Sequence, residues 1–150
     1  MTARDAMLRA MATIKGIHHV ALSVKDLDAS IAWYTDILGL SVEFRDDEGE
    51  ERHMAVLRLP GTGQQVGLVQ HLSGGAPFSP TSLGLDTAAF AVGSGEELEE
   101  WAALFTARGV VNGGILPAAF GGMLNFKDPD GIALALFWDQ FSPVGDPTAA

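Results

Sequence analysis

A β-α-β-β-β pattern runs through this chain twice, and the two copies keep step at one offset. His19 and Thr87 lie 68 residues apart (87 minus 19), and Leu22 with Phe90, Val24 with Val92 and Trp33 with Trp101 repeat that spacing. A period this long with two copies marks a duplicated half-domain rather than a solenoid. One such unit lays a single helix on one face of its sheet and leaves the other face bare. Two units bury the bare faces or enclose a cavity between them. Ligand sites favour such seams. The chain is therefore expected to be α+β, built from two paired-sheet modules around a central cleft.

The elements follow from local signals. Residues 16–24 alternate, with Val20, Leu22 and Val24 on the side expected to meet a helix and His19, Ala21 and Ser23 on the other. Asp26 or Asp28 caps a helix over about 29–38, and Gly39 stops it. Strands are expected at 40–45, 54–59 and 65–72. The carboxylates of residues 46–51 lack the ligand spacing of a Ca²⁺ loop and read as a solvated hairpin tip. In the second copy, a strand at 85–92 leads to Ser94-Gly95-Glu96-Glu97, a capping box opening a helix that ends near Ala107. Strands at 110–112, 122–126 and 132–137 complete the set. Asp128-Pro129-Asp130-Gly131 is a turn. The run after it is apolar until Asp139, as expected of a buried strand. The domain is expected to span 14–139, in modules 14–72 and 84–139. A Gly/Pro/Ser-rich connector covers 73–83, a leader 1–13 and a polar tail 140–150. Met7, Leu8, Met11 and Ile14 in the leader recur at helical spacing.

Composition narrows the function. Of 150 residues, nine are Lys or Arg and nineteen Asp or Glu, for a net charge of −10. Nine scattered cations do not make a nucleic-acid surface, and an anionic membrane surface is an equally poor partner. No stretch approaches the roughly 18 apolar residues of a membrane span, and residues 1–14 lack the apolar core of a secretory signal. The absence of cysteine removes disulfides, thiolate ligands and a cysteine nucleophile, and fits a cytoplasmic setting.

The segments Ile17-His18-His19-Val20-Ala21-Leu22-Ser23-Val24-Lys25-Asp26, Trp33-Tyr34 with Ile37-Leu38-Gly39-Leu40, Gly84-Leu85-Asp86 and Phe126-Lys127-Asp128-Pro129-Asp130-Gly131-Ile132 resemble the vicinal-oxygen-chelate superfamily. That group includes glyoxalase I, extradiol dioxygenases, thiol transferases that inactivate fosfomycin, and bleomycin-resistance proteins. The resemblance covers about 14–139 and is specific for the fold, which hosts many chemistries.

The resemblance implies a divalent metal held by residues from the first and fourth strands of each half. His19 matches the first position. Leu68 takes the second in the simplest register, Gln70 after a shift of two. Thr87 stands at the third, commonly His, and Ala135 at the fourth, commonly Glu. His19 is the only clear survivor, and hydroxyl and methyl groups do not hold such ions. No cofactor is expected, with a distorted divalent-metal site as the other case. The emptied cleft would have a floor of small residues and a rim of large ones, a mostly apolar pocket with few polar anchors. The candidate ligand-binding residues are His19, Gln70, Thr87, Asn125, Ala135 and Phe137.

Three readings follow. The first is a binding protein for an apolar or aromatic small molecule, acting as a homodimer in the manner of bleomycin-resistance proteins; the acidic charge would suit a cationic ligand. The second is an enzyme, a lyase, isomerase or dioxygenase, using an atypical metal site or metal-free acid–base chemistry by His19. The third is a module whose pocket is filled by its own side chains.

Overall fold

A computed structural model describes residues 1–12 and 14–140. After a helix α1 (Ala3–Met11), the first module comprises β1 (His19–Ser23), α2 (Leu27–Leu38), β2 (Ser41–Asp46), β3 (Arg52–Arg58) and β4 (Gln65–His71). The second comprises β5 (Ala88–Ala91), α3 (Gly95–Ala107), β6 (Asn112–Ala118), β7 (Gly121–Lys127) and β8 (Ala133–Asp139). The expected duplication is present: the strand orders are β1-β4-β3-β2 and β5-β8-β7-β6. In each sheet the first strand runs parallel to the fourth and the other pairs are antiparallel.

Local chemistry sets the helix ends. Asp26 accepts the N–H of Ala29 at 3.0 Å to open α2, and Gly39 closes it in the left-handed conformation at φ 72°. Ser94 accepts the N–H of Glu97 at 3.1 Å. Glu97 reaches back one residue beyond the N-cap and takes the N–H of Gly93 at 2.6 Å. The capping box expected here thus closes on Gly93. In α1, Thr2 and Asp5 form a complete box, while Met7 and Leu8 stay exposed.

The core lies where each sheet meets its helix. Leu22, Leu57 and Leu68 pack with Tyr34 and Ile37 of α2, and Leu124, Leu134 and Leu136 with Leu98 and Phe105 of α3. The halves join through these helices. Phe126 stacks against Trp33 of the first module at 6.3 Å and tilts against Phe105 of its own at 4.6 Å.

The Asp-Pro-Asp-Gly turn fastens the join. The buried Tyr34 hydroxyl donates to Asp128 Oδ2 at 2.9 Å. Asp128 Oδ1 accepts the N–H groups of Asp130 and Ile132, each at 2.9 Å. Asp130 Oδ2 accepts the N–H of Lys25 at 3.0 Å, a contact across 105 residues of sequence. Gly131 supplies the positive φ of 76° that the turn needs.

Two strands depart from expectation: β5 is limited to Ala88–Ala91 within the expected 85–92. β6 covers 112–118 instead of 110–112. Gly113, Gly114 and Pro117 erase the apolar alternation that marks a strand, and the pairing with β7 shifts register between Asn112 and Ile115.

Candidate ligand-binding cleft

Each sheet has one face on its helix and one open face, and register assigns every residue to one of them. On the first sheet, Leu22 pairs with Leu68 and Leu68 with Ala55, all buried on the helix side. The open face is therefore set by the alternate positions. His19 lies beside Gln65, Ala21 beside Gly67 and Ser23 beside Val69. Arg58, Val56 and Met54 follow on β3, in rows with Gln65, Gly67 and Val69.

This assignment corrects the face of β4. Leu68 and Gln70, expected on the cleft side, point toward α2, and His71 belongs to the open side. The alternation of Val66 and Leu68 with Gln65, Gly67 and His71 favours this face, and the pairing of Leu68 with the buried Leu22 and Ala55 fixes it. Gln70 has a structural partner there: its Oε1 accepts the N–H of Leu27 at 2.8 Å, at the start of α2. The position equivalent to Ala135 at the offset of 68 is Gly67. A Cβ built on Gly67 would stand 3.2 Å from the Cβ of Ala21, tighter than ordinary contact, so the two strands form a flat floor.

His19 is exposed, and its Nδ1 lies 2.9 Å from Nδ1 of His18, one ring donating and the other accepting. Across the same row runs a polar group that sequence reasoning missed. Arg58 stands between Ser41 and Gln65, and Gln65 beside His19. The register of β2 shifts between Val42 and Phe44, leaving Glu43 at the irregularity. Glu43 Oε1 accepts from Arg58 Nη2, and Glu43 Oε2 from Gln65 Nε2 at 2.9 Å. Arg58 Nη1 also donates to the carbonyl of Gly63 at 3.0 Å. The bond from Arg58, then that from Gln65, holds the Glu43 carboxyl below the ordinary carboxylate value. Gln65 could have been found by counting back in twos from Gly67. Glu43 carried no signal, because a strand irregularity is invisible to alternation.

On the second sheet, Ala89 lies beside Ala135 and Ala135 beside Asn125; Ala91 lies beside Phe137 and Phe137 beside Met123. Thr87 directly precedes β5. Its hydroxyl donates to Asp86 Oδ1 at 2.7 Å, and Asn125 Nδ2 donates to Met123 Sδ at 3.6 Å. Three sequence candidates, Asn125, Ala135 and Phe137, thus share one open face, and Thr87 directly precedes its first strand. His19 occupies the open face of the other sheet, and Gln70 neither. Where the first module's β3–β4 turn meets this sheet, Leu59 and Gln64 with Ala89, Ala91 and Phe137 enclose a half-open groove of about 320 Å³.

The donors at the metal positions are an imidazole at His19, no side chain at Gly67, a hydroxyl at Thr87 and a methyl at Ala135. That set does not fit a divalent transition metal, which needs three or more nitrogen, sulfur or carboxylate ligands. Among the described residues no group of three or more His, Asp or Glu side chains is placed to hold an ion.

Comparison with known proteins fits this architecture. A family model described as the Glyoxalase/Bleomycin resistance protein/Dioxygenase superfamily matches residues 16–136. A glyoxylase/bleomycin resistance protein/dioxygenase domain from Frankia sp. EAN1pec is 34% identical with a TM-score of 0.79, the match covering 85% of this chain and 100% of that one. A glyoxalase family protein from Enterococcus faecalis is 30% identical with a TM-score of 0.70, covering 81% and 96%. The fosfomycin resistance protein FosX from Listeria monocytogenes, solved with Mn(II) and 1S,2S-dihydroxypropylphosphonic acid, is 21% identical with a TM-score of 0.68, covering 85% and 95%, a likeness of fold. No curated protein matches the chain.

Proposed function

The chain belongs to the Glyoxalase/Bleomycin resistance protein/Dioxygenase superfamily, and on that premise we propose that it is a cytoplasmic small-molecule-binding protein that works without the superfamily's metal. Its ligand is an apolar or aromatic molecule held over the open sheet faces. The observation that carries this reading is the floor itself: Gly67, Ala21, Ala89 and Ala135 stand where metal ligands or their neighbours would project. Small residues widen the cleft, and Phe44, Met54, Met123 and Phe137 supply apolar walls.

Ala21, Ala89 and Ala91 are exposed on these faces. A homodimer in which the first sheet of one copy faces the second sheet of the other would cover them and bring His19 over Thr87, Asn125, Ala135 and Phe137. The exposed His19 imidazole also supports a second reading, a metal-free acid–base enzyme.

Metal analysis of protein purified without chelator, paired with a thermal-shift screen of aromatic compounds, tests the proposal. Metal-poor protein whose melting temperature rises with aromatic compounds is the expected result. Stoichiometric metal whose removal abolishes an activity would refute it. A His19→Ala variant separates the two readings: in the first it weakens binding with no turnover before or after the change, and in the second it abolishes a turnover that the unmodified protein shows.

A further inference from the structure

The row Glu43–Arg58–Gln65–His19 has a chemistry that restricts what the cleft accepts. We propose that this row is the polar end of the ligand site and selects an uncharged hydrogen-bonding head group, such as a phenol, alcohol or amide, over a carboxylate or an ammonium. The inference rests on the apolar-ligand reading above and extends it to the head group.

The argument starts from charge. Arg58 is the cation of the first sheet's open-face row at this end, and Glu43 already neutralises it. A second carboxylate arriving there would meet the Glu43 oxygens, with the guanidinium charge shared; burying such a charge without its own partner is costly. An ammonium would compete with Arg58 for the same carboxylate. A neutral group meets neither penalty.

The hydrogen-bonding inventory points the same way. A carboxylate only accepts, so the Gln65 atom facing Glu43 is the amide nitrogen, which leaves Gln65 Oε1 as an acceptor. Arg58 spends two of its five N–H groups on Glu43 and the Gly63 carbonyl. A hydroxyl placed over the row can donate to Gln65 Oε1 and accept from the Arg58 fork or from His19. Both of its hydrogen-bonding functions are then met, and a carboxylate cannot do the first.

The geometry accommodates a body of defined size. The next row on the same face is Phe44–Val56–Gly67–Ala21, and the one after includes Met54 and Val69. Rows on one face are about 7 Å apart along the strands. A fused two-ring body attached to a head over Gln65 lies along the flat Ala21–Gly67 floor and ends near Met54.

Three probes share such a body and differ in the head: 2-naphthol, 2-naphthoate and 2-naphthylmethylammonium. Isothermal titration of the full chain near neutral pH is expected to give 2-naphthol at least about tenfold tighter than either ion, about 1.4 kcal/mol. In Glu43→Gln the guanidinium is left uncompensated, and 2-naphthoate should gain about tenfold. In the double variant Glu43→Gln, Arg58→Met that gain should vanish, with circular dichroism checking that both variants fold. Should 2-naphthoate or the ammonium equal 2-naphthol on the unmodified protein, or should Glu43→Gln leave the affinity for 2-naphthoate unchanged, the head-group assignment is overturned and the apolar-cleft reading survives. Failure of all three probes on the unmodified protein would overturn both.

Discussion

Tyr34 shows how much a single side chain can hold. It is fully buried, and its hydroxyl is one of three donors that satisfy Asp128. Burial and the neighbouring carboxylate push the phenol far above its ordinary value, so it is a donor at every working pH. Tyr34→Phe strands Asp128 Oδ2 in the interior. The expected loss is about 1–3 kcal/mol, read as a lower urea midpoint with unchanged slope. His19 was legible at this scale from strand alternation and from the motif around it. Gln70 was not, because its partner, the N–H of Leu27 at the start of α2, lies 43 residues away in sequence. Arg58 and Glu43 were equally hidden, since their meeting depends on an irregularity in β2 and on pairing across three strands.

At the scale of elements, the Asp-Pro-Asp-Gly turn reaches beyond its own hairpin. Its sequence announced a turn and nothing more. Only the fold shows Asp128 under Tyr34 and Asp130 on the N–H of Lys25. Burial raises the Asp128 carboxyl above its ordinary value of 3.8, against the opposing pull of the Ile132 N–H, the Tyr34 hydroxyl and the Asp130 N–H. The folded state therefore holds that proton more tightly than the unfolded state does. The resulting stabilisation is complete below pH 3.8 and is lost as pH rises through the raised value. Asp128→Asn should lack this slope, so urea midpoints of the two proteins, compared as pH rises from 3.8, should change relative to one another over that interval. The helices were legible because their caps are short-range signals; β6 was not, because glycines and a proline interrupt its pattern.

For the whole molecule, the duplication was readable because Trp33 and Trp101 repeat at the offset that relates His19 to Thr87. The fold followed from that repeat, and the site's chemistry did not, because it depends on which atoms project from positions the fold leaves free to vary. That freedom can be tested by putting donors back. Thr87→His combined with Ala135→Glu supplies two ligands at the second module's metal positions. In a homodimer that brings His19 opposite, the double variant should retain about one zinc ion per chain through gel filtration, by elemental analysis. Adding His19→Ala should abolish it.

The duplicated turns have not kept the same hardware. At the offset of 68, Pro60-Gly61-Thr62-Gly63 stands where the second copy has Asp128-Pro129-Asp130-Gly131, and Ala102 where the first has Tyr34. One side of the seam is riveted by a buried carboxylate, while the matching side, at Leu59 and Gln64, stands ajar over the groove. A twofold plan has thereby become unequal at its two ends, fastened by a side-chain hydrogen bond at one and lined by a groove at the other.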